Sequence, residues 1–268
     1  MRFSSSDETL GRRAPTRTRR ASPCRPLLLL LAIIATTTLL AGCADCFGAA
    51  GPRPGPIIGS GRLVTKQIDL SNFNAVEARG AFKVDIVQTD AFSVAVTADD
   101  NLFAYLEVYK QAQTLILDLK PGTFARTAAE AQIGMPSLRR LDLSGAAKGT
   151  IASFKSPDSM EFDLSGASVL TGRIEAPDLD LTISGASRAT LGGAATSLTL
   201  DESGASQASL GDLPLESVRA LVSGASSATV NVSGRLDADL SGASTLYYVG
   251  NPTLGTISTS GASSLKRR

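Results

Sequence analysis

Histidine and tryptophan are both absent from this 268-residue chain, and aromatic residues of all kinds make up only 5% of it. Without histidine there is no Ser-His-Asp or Cys-His nucleophile, no histidine-ligated zinc and no imidazole proton shuttle. Of the common hydrolytic arrangements, only carboxylate chemistry survives that cut. Excess charge of one sign is lacking too, with 26 basic residues against 25 acidic ones. A chain without a basic stripe and with few stacking side chains has no surface for nucleic acid, and no such partner is expected. Cysteine is scarce, and Cys24, Cys43 and Cys46 are not spaced as a disulfide framework. What remains is a 43% hydrophobic composition, enough for a real core.

Charge is unevenly spread. Residues 1–42 hold seven arginines against Asp7 and Glu8, which leaves 19 basic and 23 acidic residues beyond them, a balance of −4. After the Arg-rich start, Leu27 to Leu40 contains only apolar residues and threonine and ends at Ala41-Gly42-Cys43. A bilayer-spanning helix needs roughly 20 apolar residues, so this shorter run followed by small residues reads as a cleaved signal peptide over residues 1–42. Leu40-Ala41-Gly42-Cys43 has the form of a lipobox, with Cys43 as the lipid-attachment site and new N-terminus. An ordinary secretory signal with a chance cysteine and a single-pass anchor are the alternatives. Residues 43–62, rich in glycine and carrying Pro52, Pro54 and Pro56, have the composition of a flexible tether. Ala44 follows Cys43 in place of an inner-membrane retention aspartate, which favours the outer membrane, or a periplasm-facing position, if the cell has two membranes.

The most informative pattern is an internal repeat. Ser-Gly-Ala occurs seven times, at Ser144-Gly145, Ser165-Gly166, Ser184-Gly185, Ser203-Gly204, Ser223-Gly224, Ser241-Gly242 and Ser260-Gly261, with spacings of 21, 19, 19, 20, 18 and 19 residues. All copies but the first continue as Ser-Gly-Ala-Ser. Three residues before each motif serine stand Leu141, Phe162, Leu181, Leu200, Ala220, Ala238 and Ile257, all apolar. One residue before it stand Leu143, Leu164, Ile183, Glu202, Val222, Leu240 and Thr259, with mostly polar residues between the two columns. This alternation marks a strand with one buried face. A second apolar alternation follows the glycine, as in Ala189 with Leu191 and Ala208 with Leu210.

Two short strands in about 19 residues leave no room for a crossover helix, so an all-β parallel solenoid is expected, seven repeats over residues 138–268 rising about 29 Å in six steps. In this reading the motif glycine permits a sharp corner, the alanine turns inward where two walls meet, and the serines form hydroxyl ladders. Glu202 breaks an apolar column. A lone buried carboxylate is costly, so a β-bulge turning it outward is expected, with an unrecognised site as the alternative. Residues 63–122 are β-rich but less regular and suit either the first coils or a cap on the apolar end of the stack, with one short helix from Asp99 to Leu106.

The residues also resemble a known family, the auto-transporter adhesin head domains, also called GIN domains. The resemblance runs from Val64 to Ser264 and is carried by Asn72-Phe73-Asn74-Ala75-Val76, Gly80-Ala81-Phe82-Lys83-Val84-Asp85-Ile86, Asp99-Asp100-Asn101-Leu102, the Ser-Gly-Ala-Ser series and Tyr248-Val249-Gly250-Asn251-Pro252. It implies a right-handed β-helix-like fold over residues 63–268, a place on the cell surface or in the periplasm, and adhesion. It offers no catalytic residues.

The function expected from these readings is non-enzymatic: an exported envelope protein, membrane-bound through a lipid on Cys43, presenting its solenoid to an envelope or surface ligand, glycan or protein. No cofactor or metal site is expected, since the repeat lacks the Gly-Gly-x-Gly-x-Asp pattern of calcium-binding β-rolls. The alternative is a polysaccharide lyase or hydrolase using paired carboxylates, for which Asp142 and Asp163 stand in neighbouring repeats. The motif serines have no base beside them in sequence and read as structure.

Overall fold

The computed structural model describes residues 55–268; the signal segment, Cys43 and Cys46, and most of the proposed tether lie outside the described residues. Period-two patterning becomes strand throughout, and the seven repeats stack as the coils of a parallel β-solenoid. Each apolar column of the sequence is one line of side chains in the stack. Leu141, Phe162, Leu181, Leu200, Ala220, Ala238 and Ile257 are consecutive rungs in register, and the first six are buried. The second wall repeats this with Gly149, Leu170, Ala189, Ala208, Ala228, Leu246 and Leu265. Between the walls lies one continuous core, in which each fully buried Leu, Ile or Phe contributes about 1.5–3 kcal/mol of transfer free energy.

The two short strands expected per coil run together. In the central coils a single strand covers Val169–Ile183, Arg188–Glu202, Gln207–Val222 and Ser227–Leu240, broken only at the motif. The second corner of each coil is a bend inside that strand, and register shifts sit there, between Thr190 and Ser197 and between Leu210 and Pro214. That corner absorbs the variation in repeat length while the motif corner stays fixed.

At the motif corner the orientation of the alanine differs from expectation. The alanines Ala146, Ala167, Ala186, Ala205, Ala225, Ala243 and Ala262 are exposed, and the residue after each turns inward, with Ser168, Ser187, Ser206, Ser226 and Ser244 buried. The cause is the glycine, which has φ between +71° and +82° in all seven copies. A left-handed residue reverses the chain and resets the in-out phase of the strand that follows. A β-carbon there would also strike the carbonyl of the preceding coil's glycine. The alanine N–H donates to that same carbonyl at 2.7 Å in most coils, for example from Ala167 to Gly145 and from Ala225 to Gly204.

The ladder begins one coil earlier than the motif does. Gly80 has φ +77°, and its carbonyl accepts the Ala146 N–H at 2.7 Å. The strands Ala75–Ala78 and Lys83–Gln88 flanking it pair in register with the first motif coil. Beyond this coil the walls finish differently. On one, Lys83–Gln88 is followed by Ala129–Met135, then antiparallel Ser93–Asp99 and Leu63–Gln67. On the other, Ala75–Ala78 is followed by Thr114–Leu119 and the antiparallel Leu106–Gln111.

The helix expected over Asp99–Leu106 is only a 3-10 turn, Asp100–Leu102, and strand resumes at Leu106. Asp99 looks like a helix N-cap in sequence, but its buried carboxylate is committed elsewhere, accepting the Gly61 N–H at 2.8 Å and the Ala128 N–H at 3.0 Å. The segment reaching Leu63 is thereby held down. Ile57–Ile58 pairs with Phe124–Ala125, so the folded body begins at Ile57.

Candidate interaction surface

The motif serines are part of the scaffold. Their N–H groups donate to the residue before the motif in the preceding coil, as from Ser165 to Leu143 and from Ser203 to Ile183, both at 2.9 Å. The inward serines bond chiefly to backbone. Ser168, Ser206 and Ser263 donate to the carbonyls of Ser165, Ser203 and Ser260 at 2.7, 2.9 and 2.8 Å, closing each corner on itself. A direct hydroxyl contact between coils joins Ser206 and Ser226 at 3.2 Å. With the inward hydroxyls used in this way and the motif serines held in the ladder by their N–H groups, the serines have a structural task, and among the described residues none bonds to a basic side chain that would activate it as a nucleophile.

Glu202 is not bulged outward. It pairs in unbroken register with Ile183 on one side and Val222 on the other, and its side chain is fully buried. The ladder continues through it, with Ser223 N–H donating to its carbonyl at 2.8 Å. Keeping the backbone in register costs less here than opening the stack between two well-packed coils. The carboxyl oxygen Oε1 lies 3.1 Å from the Ser206 hydroxyl, and Oε2 has no hydrogen-bond partner. Burial pushes the group up to about 7, against the smaller opposing effect of the Ser206 hydroxyl. The geometry agrees: the one Ser206 proton is shared between Glu202 Oε1 at 3.1 Å and the Ser203 carbonyl at 2.9 Å, and Oε2 accepts from nothing, so a charged carboxylate is poorly satisfied here.

The outward faces are regular. One wall carries an acidic run, Glu77, Asp142 and Asp163, at adjacent rungs. Burial, and then the charges of Glu77 and Asp163, raise Asp142 above the ordinary carboxylate range. Arginines divide the run: Arg79 pairs with Glu77 and with Asp118, and Arg140 bridges Glu161 and Asp163. The other wall carries a column of hydroxyls, Thr150, Thr171, Thr190, Ser209 and Thr229, on consecutive rungs and capped by Tyr247.

At the second corner the bends align into an open groove of about 450 Å³. Lys155 and Glu175, paired at 2.9 Å, stand at one end, followed by Ala194, then Pro214, Leu215 and Glu216 from a later coil. The groove crosses five successive coils, about 19 Å at the strand spacing. Sequence reasoning did not find it, because no residue type repeats at the second corner. The only signals there were Pro177 and Pro214 and the run Gly192-Gly193-Ala194-Ala195.

Among curated proteins, none matches this chain. Solved structures share its fold. A "putative adhesin" from Bacteroides fragilis superposes with a TM-score of 0.73 at 21% identity, covering 79% of this chain and 100% of that one. A "putative lipid binding protein" from Parabacteroides distasonis gives 0.64 at 18%, covering 80% and 100%. A "putative adhesin" from Parabacteroides merdae gives 0.61 at 18%, covering 79% and 98%. The family described as "putative auto-transporter adhesin, head GIN domain" matches residues 72–252, from the strand before the Gly80 corner to the turn that closes the sixth motif coil. With that stretch of coils accounted for, this chain belongs to the GIN domain family.

Proposed function

We propose that the protein is a non-enzymatic, lipid-anchored adhesin of the cell envelope, held by Cys43 and presenting the solenoid to an extended ligand, a glycan or a protein segment. One observation carries this reading: the second-corner groove crosses five coils with small and apolar side chains between charged ends, a shape for a chain molecule laid across the stack. Family membership supports an adhesin-like role. The Leu40-Ala41-Gly42-Cys43 sequence supports the anchor, and with it an outer-membrane or periplasm-facing position in a cell with two membranes.

Two measurements test it. Intact mass of the protein purified from its own membranes, with a Cys43→Ala control, is expected to show a lipid adduct on an N-terminal Cys43; an unmodified chain refutes the anchor. Capture from solubilised envelopes is expected to recover a glycan or protein with the native chain and to lose it with Ala194→Trp, which fills the groove. Equal recovery by the two chains refutes the groove as the binding site.

The polysaccharide lyase or hydrolase reading draws on Asp142, whose raised proton affinity suits a general acid, beside Asp163. Arg140 occupies Asp163, which favours a structural ion-pair ladder. Release of unsaturated or reducing sugar ends from envelope polysaccharide, abolished by Asp142→Asn, would establish the enzymatic reading instead.

A further inference from the structure

We infer that the capped end of the solenoid, where the chain enters the folded body, docks against an anionic lipid surface, so that the stack stands away from the membrane with its motif coils outermost. The inference rests on the lipid anchor proposed above.

Geometry fixes where the chain arrives. The Ser60 N–H donates to Asn101 Oδ1 at 3.1 Å, the Gly61 N–H to Asp99 Oδ1 at 2.8 Å, and Asn101 Nδ2 to the Ile58 carbonyl at 2.8 Å. Ile57–Arg62 is thus fastened to the turn between the cap strands. The outermost strands of the two walls at this end, Leu63–Gln67 and Leu106–Gln111, each pair on one side only.

This end shows apolar side chains to solvent. Ile58 is 58% exposed, Leu63 57% and Tyr109 42%. Partly buried aromatics lie behind them: Tyr105 meets Phe124 edge-on at 5.9 Å, and Phe103 lies 4.1 Å beneath the Lys66 ammonium. Lys66, Lys110 and Lys120 belong to the same end and take part in no ion pair among the described residues. The Lys110 and Lys120 ammonium groups rest on backbone carbonyls of Ser71 and Ala104, at 3.0 and 2.9 Å. Exposed aliphatic and aromatic side chains with lysines on the same strands and turns are what a headgroup interface accepts.

The span of chain between anchor and body selects the membrane over other occupants. Cys43 to Pro56 is fourteen residues, which reach at most about 50 Å fully extended. A lipid on Cys43 therefore keeps the point of entry, at this end of the stack, within that reach of the bilayer.

The absence of tryptophan makes the test direct. Full-length lipidated chains carrying Leu63→Trp, or Leu254→Trp at the far end, are reconstituted into phosphatidylglycerol-containing vesicles, with lipids brominated high on the acyl chain as quenchers. Leu63→Trp is expected to shift to the blue and lose most of its emission, Leu254→Trp to be unaffected, and Lys66→Glu with Lys120→Glu to restore much of the Leu63→Trp signal. A chain that does not float with the vesicles overturns anchor and docking together. A chain that floats with Leu63→Trp unquenched overturns the docking alone; if that tryptophan is nevertheless blue-shifted, a protein covers this end.

Discussion

Glu202 turns the interior of the solenoid into a measurable pH response. In the fold its carboxyl is raised to about 7, against 4.5 for the free side chain. The folded state therefore keeps a proton that the unfolded chain releases between those values. Stability from this group is fully present below about pH 4.5, falls as pH rises towards 7, and is lost above it. A separation of that size corresponds to on the order of 3 kcal/mol. No other charged side chain shares the site: its column neighbours are Ile183 and Val222, its polar contact is Ser206, backed by Ser226, and the other buried carboxylate among the described residues, Asp99, sits in the cap. Glu202→Leu restores the apolar column and leaves Ser206 bonded to the Ser203 carbonyl. Urea unfolding of both chains, followed by circular dichroism at several pH values from 4 to 8.5, isolates the term, since every other titrating group cancels in the difference. The variant is expected to gain on the native chain by on the order of 3 kcal/mol between pH 4 and pH 8. A difference that stays flat with pH, or a variant less stable at pH 8, would refute the reasoning and mean that Oε2 has a buried partner such as water.

Further tests address the corners, the core and the cap. Gly204→Ala places a β-carbon against the Gly185 carbonyl at φ +82°, and thermal melts should show a loss of about 1–3 kcal/mol or more, whereas Ala205→Ser on the exposed rung beside it should stay within about 0.5 kcal/mol. Leu181→Ala opens a cavity in the middle of the stack and is expected to cost about 2–5 kcal/mol in denaturant unfolding, with little loss indicating that neighbouring coils collapse into the space. Asp99→Ala removes the acceptor of two backbone N–H groups; limited trypsin digestion should then cut at Arg62 far faster than in the native chain, with cleavage elsewhere unchanged.

The period, the walls and the parallel stack were legible because a solenoid asks the same thing of the same position in every coil, so Leu141, Phe162, Leu181 and Leu200 stand in sequence as they stand in space. Legibility ends where that demand relaxes. At the second corner any bend of suitable length serves, repeats differ there by up to three residues, and the groove left no repeating residue to find. In the cap, Asp99-Asp100-Asn101-Leu102 has the composition of a helix start, and only tertiary contacts to Gly61 and Ala128 decide otherwise. The Gly80 corner escaped the motif search because Arg79 stands where later coils have serine, which shows that the glycine is the essential member of the motif.

The outward turn of the motif alanine has a physical cause. Alternation predicts which side a residue faces only while the chain stays in β conformation, and a glycine at φ near +75° interrupts it once per coil. After that interruption Ala and Ser are equally small, and composition cannot say which points inward. The hydrogen bonds can: a buried serine closes its corner by donating to the carbonyl three residues back, as Ser168 does to Ser165, which alanine in that place cannot do. The same inward serine at Ser206 then provides a polar neighbour for Glu202 in an otherwise apolar column. Ser206→Ala should consequently raise the proton affinity of Glu202 further and steepen the loss of stability with pH. Unchanged pH dependence in that variant would show that the serine serves the corner alone.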